Sequence, residues 1–301
     1  MLVFLTGATG FIGSRIVPEL LAAGHQVLGL TRSDAGARLL AAAGAEAHRG
    51  TLEDLDSLRA GAGRADAVIH AAFDHDFTNF LANCDKDRRV IEALGATLKG
   101  SERPLIITSG TGMGDAGLGE PATEDVFDAT NRNPRVASEI AGNALLEAGV
   151  DVRVVRLPQV HDTVKQGLIT LSIAIAREKN VAAYVGDGAN RWPAAHVLDV
   201  AKLYRLVLEK GQKGARYNAV AEQGISAREI VEVVGAGLGM PVVSLSPEEA
   251  QTYFGWFAIF ASMDLPASGT WTRGQLGWEP TGPDLIADLR RMDYSALVAA
   301  A

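Results

Sequence analysis

The chain has one cysteine in 301 residues, Cys84, so no intrachain disulfide can form. Its setting, NCDKD, offers no activating histidine nearby in sequence, and it reads as an ordinary helix residue. Basic clusters are also missing. Twenty-eight Lys and Arg are spread among 36 Asp and Glu, for a net charge of −8, which argues against a nucleic acid or an anionic membrane as partner. No apolar run is long enough to span a bilayer. The opening MLVFLTG has no basic stretch ahead of its apolar residues, so it reads as a first strand and not as a secretion signal. The histidines show neither H-x-x-x-H nor H-E-x-x-H spacing, so no metal site is expected. Together these absences point to a reducing, cytoplasmic setting and a small-molecule partner.

What is present is apolar residue, 48% of the chain, laid out in a regular rhythm. Short apolar runs (LVFLT, QVLGLT, ADAVIHAAF, RPLIITSG, VDVRVVRLP) alternate with helical patterns. Strand–helix alternation with short connections predicts βαβ units and a parallel sheet. Runs without polar alternation predict strands covered on both faces. The fold class expected is therefore α/β, a doubly wound parallel sheet (Rossmann fold) with a smaller, mostly helical C-terminal substrate lobe. Residues 1–160 form the nucleotide-binding part, with 194–222 returning to it through ARYNAVA. Residues 161–193 and 223–301 form the lobe. Within it the aromatic segment YFGWFAIF, 253–260, suits either lobe core or an apolar pocket wall.

TGATGFIG joins the first strand to the first helix, with Gly7, Gly10 and Gly13 spaced by three. Such glycines let the backbone turn tightly, approach a pyrophosphate and pack the helix against the sheet, while the helix N-terminus supplies N–H groups and a positive dipole end. A glycine triplet alone is weak evidence; between a first strand and a first helix it is strong. Cofactor contacts are expected from Thr6, Gly7, Thr9, Gly10, Phe11, Ile12 and Gly13. The second strand ends in LGLTRSD, where Thr31 takes the place usual for a ribose-binding carboxylate. Arg32 follows, and its forked donor set suits a 2′-phosphate. NADP(H) is thus expected, with Arg32 and Ser33 beside the ribose; Asp34 keeps NAD(H) open as the alternative.

These residues resemble the short-chain dehydrogenase/reductase superfamily in its extended, epimerase/dehydratase-like branch. The resemblance runs on through HAAF (70–73), IITSGTGMG (106–114), VVRLPQVHD (154–162), NRWPAAHVLDVAKLY (190–204) and TRGQLGWEPT (272–281), and covers nearly the whole chain. It implies further cofactor contacts from Thr51, Leu52, Ala71, Ala72, Phe73, Thr108, Leu157, Pro158 and Val160. His70 would flank the cofactor, and His196 and Asp199 would stabilise the cleft. It also implies a homodimer paired through helices at 79–95 and 133–149, where Ala137, Ala141 and Ala144 allow close approach.

The same resemblance implies a catalytic Ser or Thr at the end of the fifth strand and a Tyr-x-x-x-Lys pair on the helix NPRVASEIAGNALLEAG. Ser109 matches the first, with Thr111 a second donor. At the pair's positions stand Arg135 and Glu139, and none of the five tyrosines has Lys four residues on. Four apart, Arg135 and Glu139 share a helix face. Either Arg135 binds the substrate while Glu139 meets the cofactor ribose, or the two form a surface ion pair. His161, at a strand end lining the nicotinamide, is the remaining proton carrier; a satisfied loop histidine is the alternative, and Lys165 four residues on suits a solvated helix start. The catalytic set expected is Ser109, Arg135 and His161. The function expected is an NADP(H)-dependent oxidoreductase acting on a small apolar or aromatic ketone, imine, quinone or activated alkene without the Tyr/Lys pair. The alternatives are a non-catalytic NADP-binding sensor and an NAD-dependent epimerase or dehydratase of a nucleotide sugar.

Overall fold

The first strand, β1 (Leu2–Thr6), is apolar from Leu2 to Leu5 because helices cover both of its faces. A computed structural model describes residues 1–117 and 119–296. After β1 come α1 (Gly13–Ala22), β2 (Gln26–Thr31), α2 (Asp34–Ala42), β3 (Glu46–Arg49), α3 (Leu55–Arg64), β4 (Ala67–His70), α4 (Phe80–Leu98), β5 (Pro104–Gly110), α5 (Val136–Glu147) and β6 (Asp151–Leu157). Then follow β7 (Gln159–His161), α6 (Ile169–Lys179), β8 (Ala182–Val185), β9 (Arg191–His196), α7 (Val197–Lys210), β10 (Arg216–Asn218), β11 (Glu222–Ser226), α8 (Ala227–Leu238), β12 (Val242–Leu245), α9 (Pro247–Phe254), α10 (Ala258–Ser262), α11 (Thr270–Leu276) and α12 (Leu285–Arg291).

Seven parallel strands form the main sheet in the order β10-β6-β5-β4-β1-β2-β3. This is the doubly wound arrangement. The order reverses between β1 and β4, and a crevice opens there outside the carboxyl ends of the strands. ARYNAVA supplies β10, which joins the sheet beside β6. Below one face lie α1 and α7, packed through Ile16, Val17, Leu20, Val200, Leu203 and Val207. The other face carries α3, α4 and α5 through Leu58, Val90, Ile91, Leu94 and Ala141.

The lobe has its own core, built from Ile169, Ile173, Trp192, Ile230, Phe254, Phe257 and Leu285. It is less purely helical than its sequence suggests. VVSL, flanked by turn and helix signals, forms β12 and pairs in parallel with β8, and β9 bridges β7 and β11. YFGWFAIF divides between both expected roles: Phe254 and Phe257 are core, whereas Trp256 and Ile259 are exposed. The small-residue stripe on α5 also divides, since Ala141 is buried against the sheet and Ala144 faces out.

One charge cluster ties the long connection between β5 and α5 to the sheet. Glu139 is fully buried and takes a bidentate bond from Arg156 (Nε–Oε1 2.8 Å, Nη2–Oε2 2.9 Å) and a third bond from Arg216 (2.8 Å). Arg156 donates onward to the carbonyls of Thr123 and Val126. Burial alone would raise the Glu139 pKa, but the two guanidinium groups outweigh it and hold the carboxyl below its ordinary value. The expected contact between Glu139 and the cofactor ribose is thereby corrected. With no exposed surface and three bonds in place, the carboxylate is structural, and it pairs with Arg156 instead of Arg135. Removing one partner of a buried pair costs about 3–5 kcal/mol. Glu139→Ala should therefore lower the urea midpoint at pH 7 by that equivalent. Because the folded pKa is depressed, the contribution is complete above the ordinary carboxylate range and lost as pH falls through the folded value. The gap between wild type and variant should accordingly shrink in acid; a gap independent of pH would argue against a charged Glu139.

Candidate active site

The glycine loop lies against the end of β4 so closely that side chains have no room. Gly7 has φ +71°, and a Cβ there would stand 2.9 Å from the Ala72 nitrogen. A Cβ on Gly13 would stand 2.0 Å from the Gly7 carbonyl oxygen. The first turn of α1 has no side-chain cap and no acidic residue, which leaves the helix end open to an anion. Thr6 does not point to a ligand: it is buried, and its hydroxyl bonds His70 Nδ1 (2.7 Å) and accepts from the Ala72 N–H (3.3 Å). Thr9 and Gly10 are exposed, with Phe11 and Ile12 half-buried beside them.

At the end of β2 the polar residues sort themselves. Ser33 caps α2 by accepting from the Gly36 N–H (3.0 Å), and Asp34 turns to Arg49 (3.2 Å). Arg32 is exposed and has no ion-pair partner among the described residues. Thr51 and Leu52 follow β3; the Thr51 hydroxyl accepts from the Glu53 N–H and Leu52 packs on the sheet's second core. An uncapped helix end, a loop with no room for a side chain at Gly7 or Gly13, and a cation beyond β2 without an ion-pair partner among the described residues fit a dinucleotide.

Deeper in the crevice a polar network joins α4, β4, α5, β5 and α7. Asp87, on α4 and 2% exposed, accepts from His70 Nε2 (3.0 Å), from Arg135 (2.6 Å) and from the Ser138 hydroxyl (2.5 Å). Arg135 also donates to Ser138 and to the Thr108 carbonyl (2.9 Å), and its guanidinium lies 4.2 Å from the centre of the Phe73 ring. The Thr108 hydroxyl bonds the His70 carbonyl (2.7 Å) and Tyr204 (2.6 Å). Burial pushes the Asp87 carboxyl up, but Arg135, His70 and Ser138 hold it well below the usual carboxylate range. Three guanidinium N–H groups are thus committed, and two of the five have no hydrogen-bond partner among the described residues. Sequence reasoning missed Asp87, although a signal was there: it is a carboxylate on the apolar stripe of a helix, in line with Asn83, Val90, Ile91 and Leu94. Cys84, on the same helix, is buried and its thiol is pushed up to about 11, as suits an inert residue.

Two proposed catalytic residues fall elsewhere. His161 is wholly enclosed; Nδ1 bonds Asp288 of α12 (2.8 Å), Nε2 lies 3.8 Å from Glu222, and the ring meets His196 edge-on. Burial lowers its pKa against the pull of Asp288. It fastens β7 to the lobe and does not reach the crevice. Ser109 is 3% exposed, and its hydroxyl has no hydrogen bond of good geometry among the described residues. Strand alternation is the cause: Thr108 points toward α7, so Ser109 points toward α5 and Glu139. Thr111 begins the short turn Thr111–Gly114 beyond it. Of the segment after β6, Val160 is buried in the core while Leu157 and Pro158 are partly exposed. His196 caps α7, and Asp199 accepts from the N–H groups of Thr281 and Gly282, both structural roles as expected.

The mouth of the crevice is aromatic. In the loop after β4, Phe77 stacks on Trp256 of the lobe (5.4 Å between centroids, 18° between planes) and meets Phe80 and Phe260. No helix among the described residues is long and apolar enough to cross a membrane, and no group of metal-ligating side chains occurs among them.

A crevice at the strand-order reversal, a glycine loop and an open helix end define a nucleotide-dependent α/β enzyme. The model of the NAD dependent epimerase/dehydratase family matches residues 3–220, and the chain belongs to that family of NAD(P)-dependent oxidoreductase-type enzymes. It is 45% identical to the uncharacterized protein C2A9.02 of Schizosaccharomyces pombe, over 98% of this chain and 100% of that one. It is 40% identical to the uncharacterized protein YLL056C of Saccharomyces cerevisiae, over 96% and 98%. The fold is similar to DesIV, a dTDP-glucose 4,6-dehydratase of Streptomyces venezuelae solved with NAD (TM-score 0.78, 20% identity, 100% of this chain and 98% of that one).

The clash at Gly13 gives a direct test. Gly13→Ala should weaken dinucleotide binding at least about tenfold in a fluorescence titration, since the loop must open to admit the methyl group. Unchanged affinity would mean that the loop is not the phosphate cradle.

Proposed function

We propose that this enzyme uses NADP(H) to interconvert a small aromatic or apolar carbonyl-like compound (a ketone, imine, quinone or activated alkene) and its reduced form, without a Tyr/Lys pair. The observation that carries the reading is the Arg135 guanidinium, fixed by Asp87 and the Thr108 carbonyl and spread on Phe73, at the position where the resemblance implies a tyrosine. A bound nicotinamide supplies or accepts hydride. The chain's part is to hold the reacting carbon at its face and to stabilise charge on the neighbouring oxygen. Arg135, always protonated, stabilises an oxyanion but cannot act as a base near neutral pH. This favours substrates whose reduced form is a stabilised anion. The aromatic mouth (Phe77, Phe80, Trp256, Phe260) suits a flat apolar substrate. The free Arg32 supports NADP(H) over NAD(H), and a cytoplasmic homodimer belongs to the same proposal.

Membership of an epimerase/dehydratase family favours a second reading, turnover of a nucleotide sugar with NAD. That chemistry begins by removing a proton from a sugar hydroxyl and needs a base.

Arg32→Ala should weaken NADPH binding by tenfold or more and NADH binding by less than about threefold. Equal losses would remove the 2′-phosphate role. The wild type, mixed with NADPH, should consume it on a panel of ketones, imines, quinones and activated alkenes; turnover of a UDP- or dTDP-sugar alone would establish the second reading.

A further inference from the structure

His75 belongs to none of the roles assigned above, yet it stands at the mouth of the crevice. The segment after β4 is pressed against the glycine loop at Ala71 and Ala72. Three residues past Ala72, the His75 ring meets Phe73 edge-on (5.4 Å) and Phe77 at 6.2 Å. Phe73 carries the Arg135 guanidinium on its own ring. On the other side Lys165 lies 5.9 Å from the centre of the Phe11 ring, in the glycine loop. His75 is therefore one aromatic ring away from Arg135, on the segment whose start lies against the glycine loop, and solvent reaches it. The loop that carries it is pinned, because Lys86 of α4 bonds both Asp74 (2.8 Å) and Glu53 (2.9 Å).

We propose that His75 is the proton-transfer residue of this enzyme, filling the role left by the absent tyrosine. The inference rests on the reading of the site as a hydride-transfer site. In the oxidising direction the imidazole takes the substrate hydroxyl proton as hydride leaves the carbinol carbon for the oxidised nicotinamide: O–H and C–H bonds break, C=O forms, and the nicotinamide is reduced. In the reducing direction the imidazolium returns the proton to the carbonyl oxygen and is recharged from solvent. Arg135, one ring away, steadies the charge on that oxygen.

The charged groups facing His75 are Lys165 from the loop before α6, Arg135 at the start of α5, and Asp74 on its own loop. Partial desolvation lowers its pKa, and Lys165 and Arg135 lower it further, against the Phe73 backbone and Asp74. A lowered pKa favours the neutral imidazole, the form a base requires. The rate of oxidation should rise with pH through this pKa, and the rate of reduction should fall.

The test is ring-nitrogen NMR of the histidines in the full-length wild type, with the His75 signal assigned from its loss in His75→Asn. It is titrated with no nucleotide, with NADP+ and with NADPH. A ring facing the nicotinamide should titrate lower with NADP+ than with NADPH, by about half a unit or more, because only the oxidised ring carries a positive charge. Any carbonyl that the wild type reduces should lose about a hundredfold or more in kcat in His75→Asn, with nucleotide affinity held within about threefold and partial recovery on adding free imidazole. Identical titrations in the two complexes, or an unchanged kcat, would overturn the assignment while leaving the nucleotide site standing. Failure of either nucleotide to bind would overturn the hydride-transfer reading itself.

Discussion

A single buried carboxylate organises the business end of this molecule. Asp87 lies in the crevice wall, where an unpaired charge would be costly, and the chain answers from three directions: His70 at the end of β4, Arg135 at the entry to α5, and Ser138 one turn on. Through His70 the network reaches Thr6 and the start of the glycine loop, and through Arg135 it reaches the Thr108 carbonyl on β5. The edges of three neighbouring strands are thus set relative to α4 and α5 by one charge and its donors. The glycine loop and the Arg135 guanidinium share that frame.

A second buried carboxylate, Glu139, does comparable work on the other side of α5. Arg135 and Glu139, four residues apart in the chain, are opposite charges that pair with other partners and not with each other. Arg135 goes to Asp87 and Glu139 goes to Arg156 and Arg216. Such pairs stabilise little on balance, because desolvation cancels much of the attraction, but losing one partner is severe. They fix geometry more than they add stability. A guanidinium at this place can stabilise an anion but cannot take up a proton, so proton transfer has to come from another group.

Much of the architecture was legible from the sequence because it follows from period and punctuation. Doubly covered strands show as unbroken apolar runs, and the glycine loop announces itself by its spacing between strand and helix. Partnership was not legible. The four-residue spacing of Arg135 and Glu139 suggested a shared helix face, but Arg135 precedes α5, and which charges the two meet depends on Asp87, Arg156 and Arg216, brought together from as far as 77 residues apart in the chain. Ser109 and His161 were misplaced for the same reason: the strand end was right, while side-chain direction follows from register and from what packs above. The short β8–β12 pair escaped because four-residue strands carry too little periodicity to stand out from the helices around them.

The account depends on Asp87 and Arg135 acting as one unit, and a double-mutant cycle tests that most directly. Stability and NADPH affinity would be measured for wild type, Asp87→Asn, Arg135→Gln and the double variant. The account predicts strong coupling, about 2 kcal/mol in stability, with the double variant binding NADPH no worse than either single one. Additive losses, with coupling near zero, would contradict it: the buried carboxylate would then be a bystander, and the crevice would be held by the glycine loop and the sheet alone.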